Sequence, residues 1–233
     1  MLGWVIPPPR KPVKTKGDFD REREEKVQWL IRRGFLKSQL IVEAMLKVSR
    51  EDFIPDNYRD YAYMEVPLPL PGRNATISCP HSYPLFYEAL NLGLDDKFLE
   101  VGAGSGYGAA LAREIVGSKG WVVTVEIDLE THRFAKENLR KLGYNDVEVV
   151  LGDGSYGYPA KSPYDKICIT ASCKSIHEPL IQQLKPGGRL ITPKGSPNTE
   201  QDLILVSKGI DGKLKVSYLD KVLYVPLSGQ YGF

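Results

Sequence analysis

From Lys97 onward the chain alternates between two hydrophobic periods. "KFLEV" is a short apolar run that ends in glycines, and "AALAREIVG" behind it has helical spacing. "WVVTVEI" is β-branched. "LETHRFAKENLRKLG" returns to the helical period, with Leu129, Phe134 and Leu139 expected to pack inward and Asp128 as its cap. "VEVVLGDG" reads as a strand and a turn, and "DKICIT" as another buried strand. "HEPLIQQLKPGG" predicts a short helix closed by Pro-Gly-Gly, followed by a strand over "RLITPKG". "DLILVSK" and "KVLYVPL" come next with no helix between them, joined by a turn around Asp211-Gly212. Strands separated by helices make βαβ units. The pattern therefore predicts an α/β fold: a doubly wound, mostly parallel sheet with an antiparallel C-terminal strand pair at one end.

Upstream the pattern changes. Val27, Leu30 and Ile31 fall at helical spacing between Arg21 and Arg33, and Gly34 can close that helix. Ser38 opens "SQLIVEAMLKV", a second amphipathic helix with Leu40, Ile41, Ala44, Met45 and Val48 on one side. The passage from Phe53 to Gly72 is rich in Pro and Tyr. Its prolines at 67, 69 and 71 forbid regular helix and remove ladder donors, so it reads as irregular. Residues 1–18 carry a Pro triplet and scattered cations, the composition of an extended or poorly ordered arm. Three parts follow: a flexible N-terminal arm over 1–18, a helical and Pro-rich segment over 19–74, and a doubly wound domain over 75–233.

Composition narrows the partners. The 233 residues, 42% hydrophobic, suffice for one sizeable core. Thirty-one basic side chains against 29 acidic ones leave a net charge of +2, which points to no nucleic-acid partner. Cys79, Cys168 and Cys173 form no CxxC pair and no metal-ligand spacing, so no metal is expected. Their odd count and low density fit a reducing cytoplasm. No apolar stretch approaches the roughly 20 residues that span a bilayer, and the N-terminus lacks the features of a secretory signal.

The candidate chemistry begins at "EVGAGSGYG", residues 100–108, between a strand and a helix. Glycines let the backbone turn sharply and approach a ligand closely, here at the carboxyl end of a parallel sheet. Gly104, Gly106 and Ala109 fit a dinucleotide fingerprint, while Gly102, Gly104 and Gly106 fit the GxGxG pattern of adenosylmethionine sites. Glu100, at the strand end, is unwelcome beside a pyrophosphate and welcome beside an ammonium and a sulfonium. Glu126 ends the next strand about 20 residues further on, where an acid accepts from both hydroxyls of a ribose. Asp153, in "GDGS", can accept from an adenine amino group or simply make a turn. Earlier in the chain, Ser78 in "NATISCPHSY" is either a helix cap before Pro80 or a site hydroxyl.

Several stretches outside the glycine loop share one resemblance. "VSREDFIP" at 48–55, "AYMEVPLPL" at 62–70, "ATISCPH" at 75–81 and "YVPLSG" at 224–229 resemble, in order, segments of the protein-L-isoaspartate O-methyltransferase family. The likeness runs from about Leu40 to Leu227. It implies a class I methyltransferase fold over 75–233 that uses S-adenosyl-L-methionine and leaves S-adenosyl-L-homocysteine. It also implies methyl transfer to the α-carboxylate of isoaspartyl residues in damaged proteins, with the ester closing to a succinimide. By resemblance Ser78 is the active-site hydroxyl, with Thr76 and Ile77 in the same cofactor-side loop. Glu100, Gly102, Gly104 and Gly106 would hold the methionine part, Glu126 the ribose, and Asp153 with Gly154 the adenine region. Ser228 matches a hydroxyl position near the site. The chain departs from the family at Gly72-Arg73-Asn74-Ala75, at Pro84, at Glu65 where Asp is usual, and at "ASCKSIHEP", 171–179. Those departures leave open another acceptor, a small molecule or RNA. A non-catalytic binding module and a nicotinamide oxidoreductase are the remaining alternatives.

Overall fold

A computed structural model describes residues 5–233. Helix α1 (Lys16–Arg32) begins earlier than the apolar spacing predicts, because Thr15 and Asp18 form a reciprocal capping box. Residues 5–15, before it, have no regular secondary structure but are pinned. The buried Asp60 carboxylate accepts from the Val13 and Lys14 amides and pairs with Arg10 at 3.0 Å. Residues 1–4 of the expected arm lie outside the described residues. Helix α2 (Gln39–Lys47) buries Ile41, Ala44 and Met45. Two 3-10 turns follow, Arg50–Phe53 and Asp56–Tyr61. Then β1 (Leu68–Pro69) pairs antiparallel with β2 (Thr76–Ile77) in a small hairpin.

Helix α3 (Ser82–Leu90) has His81, not Ser78, at its N-cap. Pro84 therefore falls in the first turn, where its missing N–H costs nothing. The main domain continues with β3 (Lys97–Val101), α4 (Tyr107–Val116), β4 (Trp121–Glu126), α5 (Leu129–Lys141) and β5 (Glu148–Leu151). It ends with β6 (Tyr164–Ile169), α6 (Glu178–Gln183), β7 (Leu184–Lys194), β8 (Gln201–Lys208) and β9 (Leu214–Val222). Asp128 caps α5 by accepting from the Glu130 and Thr131 amides. Leu139 packs inward, but Leu129 stands exposed on the first turn.

The seven-stranded sheet has the order β5-β4-β3-β6-β7-β8-β9, parallel through β7, with β8 antiparallel to both neighbours. The chain leaves β3 toward β5, then returns to place β6 on the other side of β3. That reversal is the switch point, the usual position of a ligand crevice in a doubly wound sheet. Two buried apolar clusters occupy the two faces. One joins Leu30, Ile41, Phe53, Ile77 and Tyr87 to Phe98, and the other joins Leu99 and Ile167 to Leu180 and Leu190.

Two expected elements shift. "LKPGG" does not close α6, since β7 already starts at Leu184 and carries it with a register irregularity against β6. Lys208 caps the last carbonyls of α6 instead, donating to Ile181 O and Leu184 O. The last strand is 214–222, not "KVLYVPL". Pro226 meets only an isolated bridge to Ser172, and proline has no ladder donor to offer. No helix among the described residues is long and apolar enough to cross a membrane.

Candidate active site

The glycine loop follows β3 because three of its residues adopt positive φ. Gly102, Gly104 and Gly106 have φ of 98°, 54° and 85°. Space demands glycine as much as torsion does. A Cβ on Gly102 would stand 2.3 Å from Thr170 Oγ1, and one on Gly106 would stand 3.0 Å from Leu139. Gly104 faces the hairpin, where a Cβ would come within 3.6 Å of Thr76 O. The β1–β2 hairpin thus lies against the glycine loop through Leu70 and Thr76, with Ile77 and Ser78 next in the chain. The hairpin turn rests on the start of α5, where Thr131 Oγ1 donates to Pro71 O at 2.8 Å. Of the unusual residues 72–75, Gly72 and Arg73 accordingly pack beside Asp128 and Thr131. Ile77 is buried in the core, and Thr76 and Ser78 are half-buried.

The three acids differ sharply in environment. Glu100 is 2% exposed, between Thr124 of β4 and Cys168 of β6. Its Oε2 accepts from Thr124 Oγ1 at 2.7 Å, and Gly108 covers it so closely that a Cβ there would stand 2.2 Å from Oε1. The structure therefore places this carboxyl beneath the first turn of α4. Burial pushes its pKa up to about 8, with the Thr124 bond opposing and the Glu126 charge adding. Glu126 ends β4 and accepts from the amides of Ile127 (2.9 Å), Asp128 (3.1 Å) and Gly104 (3.1 Å). Burial raises its pKa against those donors. Asp153 behaves oppositely. Burial alone would raise it, but the amides of Ser155 (2.9 Å) and Gln230 (2.8 Å), with His177 nearby, hold it below the usual carboxylate range.

The chain end reaches the same rim. Gly229 lies so close that a Cβ would be 2.1 Å from Asp153 Oδ1. Gly154 is buried against Val101 and Val125, and Ser228 is exposed beside Gly229. The unusual segment 171–177 holds this end down: the Ser172 amide donates to Val225 O, and the Leu227 amide to Ser172 O, both at 2.8 Å. Cys173 is fully buried, and burial raises its thiol pKa, which disfavours the reactive thiolate. His177 is 3% exposed with no hydrogen-bond partner on either ring nitrogen, and burial lowers its pKa.

Contacts invisible in the sequence appear on the other side of Ser78. His81 Nδ1 lies 2.6 Å from Glu65 Oε2, and Lys26 Nζ 3.0 Å from Glu65 Oε1. The Cys79 thiol completes a set of ligand-type atoms within 4.8 Å of one another. Burial pushes that thiol up to about 12, and Lys26 already neutralises Glu65, so the trio reads as a polar clamp between segments. Arg50 was also unforeseen as part of the site. Its Nη2 donates to Ser78 O at 2.7 Å and its Nε to Ala62 O at 2.6 Å. No periodicity signals these residues, because their hydrogen-bond partners are 12 to 39 positions away in the chain.

A glycine cradle at the switch point, with carboxylates at the next two strand ends, suits a nucleoside carrying a cationic amino-acid tail. Fold and site define a class I, adenosylmethionine-dependent methyltransferase. The family model for protein-L-isoaspartate(D-aspartate) O-methyltransferase matches residues 21–232. The chain is 45% identical over 216 residues to a protein-L-isoaspartate O-methyltransferase of Methanopyrus kandleri, covering 92% of this chain and 95% of that one. It is 45% identical over 207 residues to one of Pyrococcus horikoshii, with coverage of 89% and 93%. A solved protein-L-isoaspartate O-methyltransferase superposes with a TM-score of 0.83 at 34% identity, over 90% of this chain and 67% of that chain. The fold also matches a putative Plasmodium falciparum enzyme solved with S-adenosyl-L-homocysteine, with a TM-score of 0.76 at 22% identity over 88% of this chain and 98% of that one. The chain belongs to the protein-L-isoaspartate O-methyltransferase family.

Proposed function

We propose that the chain methylates the α-carboxylate of isoaspartyl residues at the crevice between the glycine loop and the β1–β2 hairpin. The observation that carries the reading is the packing of Thr76, two residues before Ser78, against Gly104 of the glycine loop. Residues 102–106 would approach the methionine part, with Glu100 beneath them. Glu126 would accept from the ribose. A carboxylate has about four acceptor sites and three are taken by amides, so binding both hydroxyls would displace one amide. Asp153 and Gly154 would border the adenine, with Ser228 at the rim.

Adenosylmethionine supplies the methyl group: a carboxylate oxygen–carbon bond forms as the sulfonium–carbon bond breaks, leaving S-adenosylhomocysteine. The acceptor needs no general base. A carboxyl with a pKa near 4 is already ionised at neutral pH. What the chain must supply is alignment and exclusion of water. The Ser78 hydroxyl would donate to the incoming carboxylate and fix its orientation. Segment 19–74 supplies the wall on the acceptor side. Net charge near zero supports a polypeptide substrate over a polyanion. The three free cysteines support a reducing, cytoplasmic setting.

Mass spectrometry of an isoaspartyl peptide incubated with the chain and adenosylmethionine tests the reading. It predicts a gain of one methylene at the isoaspartyl carboxyl, then loss of methanol as the succinimide closes. Methylation elsewhere on the peptide, or none, contradicts it. Ser78→Ala should lower kcat about tenfold or more, the size of a lost hydrogen bond to a charged group.

A further inference from the structure

Arg50 begins the turn Arg50–Phe53 and is 1% exposed. A guanidinium keeps its charge in a protein interior, and buried charges are ordinarily paired with opposite ones. Arg50 makes no ion pair among the described residues. The adjacent Glu51 faces elsewhere, accepting from the Tyr63 hydroxyl at 2.6 Å and from Arg23 Nη2 at 2.7 Å. Arg50 instead donates to two carbonyls, Ala62 O at 2.6 Å and Ser78 O at 2.7 Å. Its guanidinium carbon lies 5.7 Å from the ring centre of Tyr83 and 5.3 Å from that of Tyr107. Those π faces offset part of the cost of the buried charge. Nη1 is buried without an acceptor.

These partners come from four pieces of chain around the crevice. Ala62 precedes the β1–β2 hairpin, and Ser78 ends it. Tyr83 is in the first turn of α3, and Tyr107 is the first residue of α4, directly behind the glycine loop. We infer that Arg50 is the positioning residue for Ser78: by holding the Ser78 carbonyl it fixes where the hydroxyl points. The inference rests on the role proposed for Ser78 above. A single side chain can bridge the two carbonyls because a guanidinium has a planar fork of donors and a flat face for each ring. A lysine ammonium has neither. A residue that only stabilised the fold would lower kcat by the same factor whether or not Ser78 has its hydroxyl. A positioning residue acts through that hydroxyl, so its effect vanishes with it.

A double-mutant cycle on the full chain separates the two. Arg50→Lys, Ser78→Ala and the double variant are compared with wild type for kcat, KM and affinity for S-adenosylhomocysteine, with thermal melts to verify folding. Arg50→Lys is expected to lower kcat about 10- to 100-fold, the scale of a misplacement near 1 Å. KM and S-adenosylhomocysteine affinity should stay within about twofold, and the same change in the Ser78→Ala background should cost less than about twofold in kcat. Arg50→Ala is the second arm: millimolar guanidinium should restore its activity when Ser78 is present and not when it is absent. Equal loss of kcat with and without Ser78, or no loss with Ser78 present, overturns the inference while wild type remains active. A wild-type chain inactive on isoaspartyl peptides overturns the functional reading itself.

Discussion

Glu100 and Glu126 occupy consecutive strand ends yet do different work, and burial decides which. Glu100 titrates near 8 rather than 4.5 because it is sealed beneath α4. The folded chain keeps a proton that the unfolded chain releases above pH 4.5. Its favourable contribution is therefore complete below 4.5 and is lost as pH rises to about 8. Glu100→Gln has no such titration, so its melting temperature should gain on wild type between pH 5 and pH 8; a gap constant with pH contradicts this. A bound cation also favours the ionised carboxyl. Calorimetry in buffers of different ionisation enthalpy should then show proton release when adenosylmethionine binds at pH 7, and none for Glu100→Gln. Glu126→Gln should weaken S-adenosylhomocysteine about tenfold or more, as loss of a charged acceptor does. The identities of these acids were legible because each ends a short apolar run, Phe98-Leu99 before Glu100 and the β-branched 122–125 before Glu126. The burial of Glu100 was not, because it depends on Gly108, eight residues away, lying directly above it.

At the scale of elements, the glycines make the sharpest test. Gly106 and Gly143 have nearly equal torsions, φ 85° and 88°. A Cβ on Gly106 would press on Leu139 and Ala135 O, whereas one on Gly143 would meet nothing within 4 Å. Gly143→Ala should cost about 1 kcal/mol of backbone strain, and Gly106→Ala toward 3 kcal/mol. For a chain of this size each kcal/mol lowers the melting temperature by about 2–4 °C. Only Gly106→Ala should also weaken S-adenosylhomocysteine, as read by calorimetry; equal effects would show that contact with α5 is irrelevant. The alternation that announces β3 to β6 is strong because those strands are buried on both faces or end in glycine. Strand β9 was missed because it is an edge strand, exposed along most of its length, so its polar and apolar residues follow no single face. The Lys-Pro-Gly-Gly stretch misled for a related reason: its turn residues sit inside an irregular strand start.

Across the whole molecule, the sheet supplies the crevice, and residues 5–70 pack through α1 and α2 into the apolar cluster shared with α3 and α4. Those residues are tied down by long-range polar contacts. Asp60 holds residues 10–14, while Arg23, Glu51 and Tyr63 join α1 to the turns that carry Arg50. Asp60→Ala should release the arm, and trypsin should then cleave after Arg10 and Lys14 faster than in wild type; an unchanged digest contradicts the docking. The arm's composition of proline and scattered cations is that of a free tail, and only the buried Asp60 reveals otherwise. The doubly wound order followed from the strand–helix rhythm, but the closure of the crevice by the hairpin did not, since two-residue strands have no period. The account stands on the acceptor being an isoaspartyl carboxylate. Transfer of a labelled methyl group from adenosylmethionine should be compared on one peptide in its isoaspartyl and aspartyl forms. Label is expected on the isoaspartyl form and at background on its twin; equal labelling of both, or label on neither, would contradict the account.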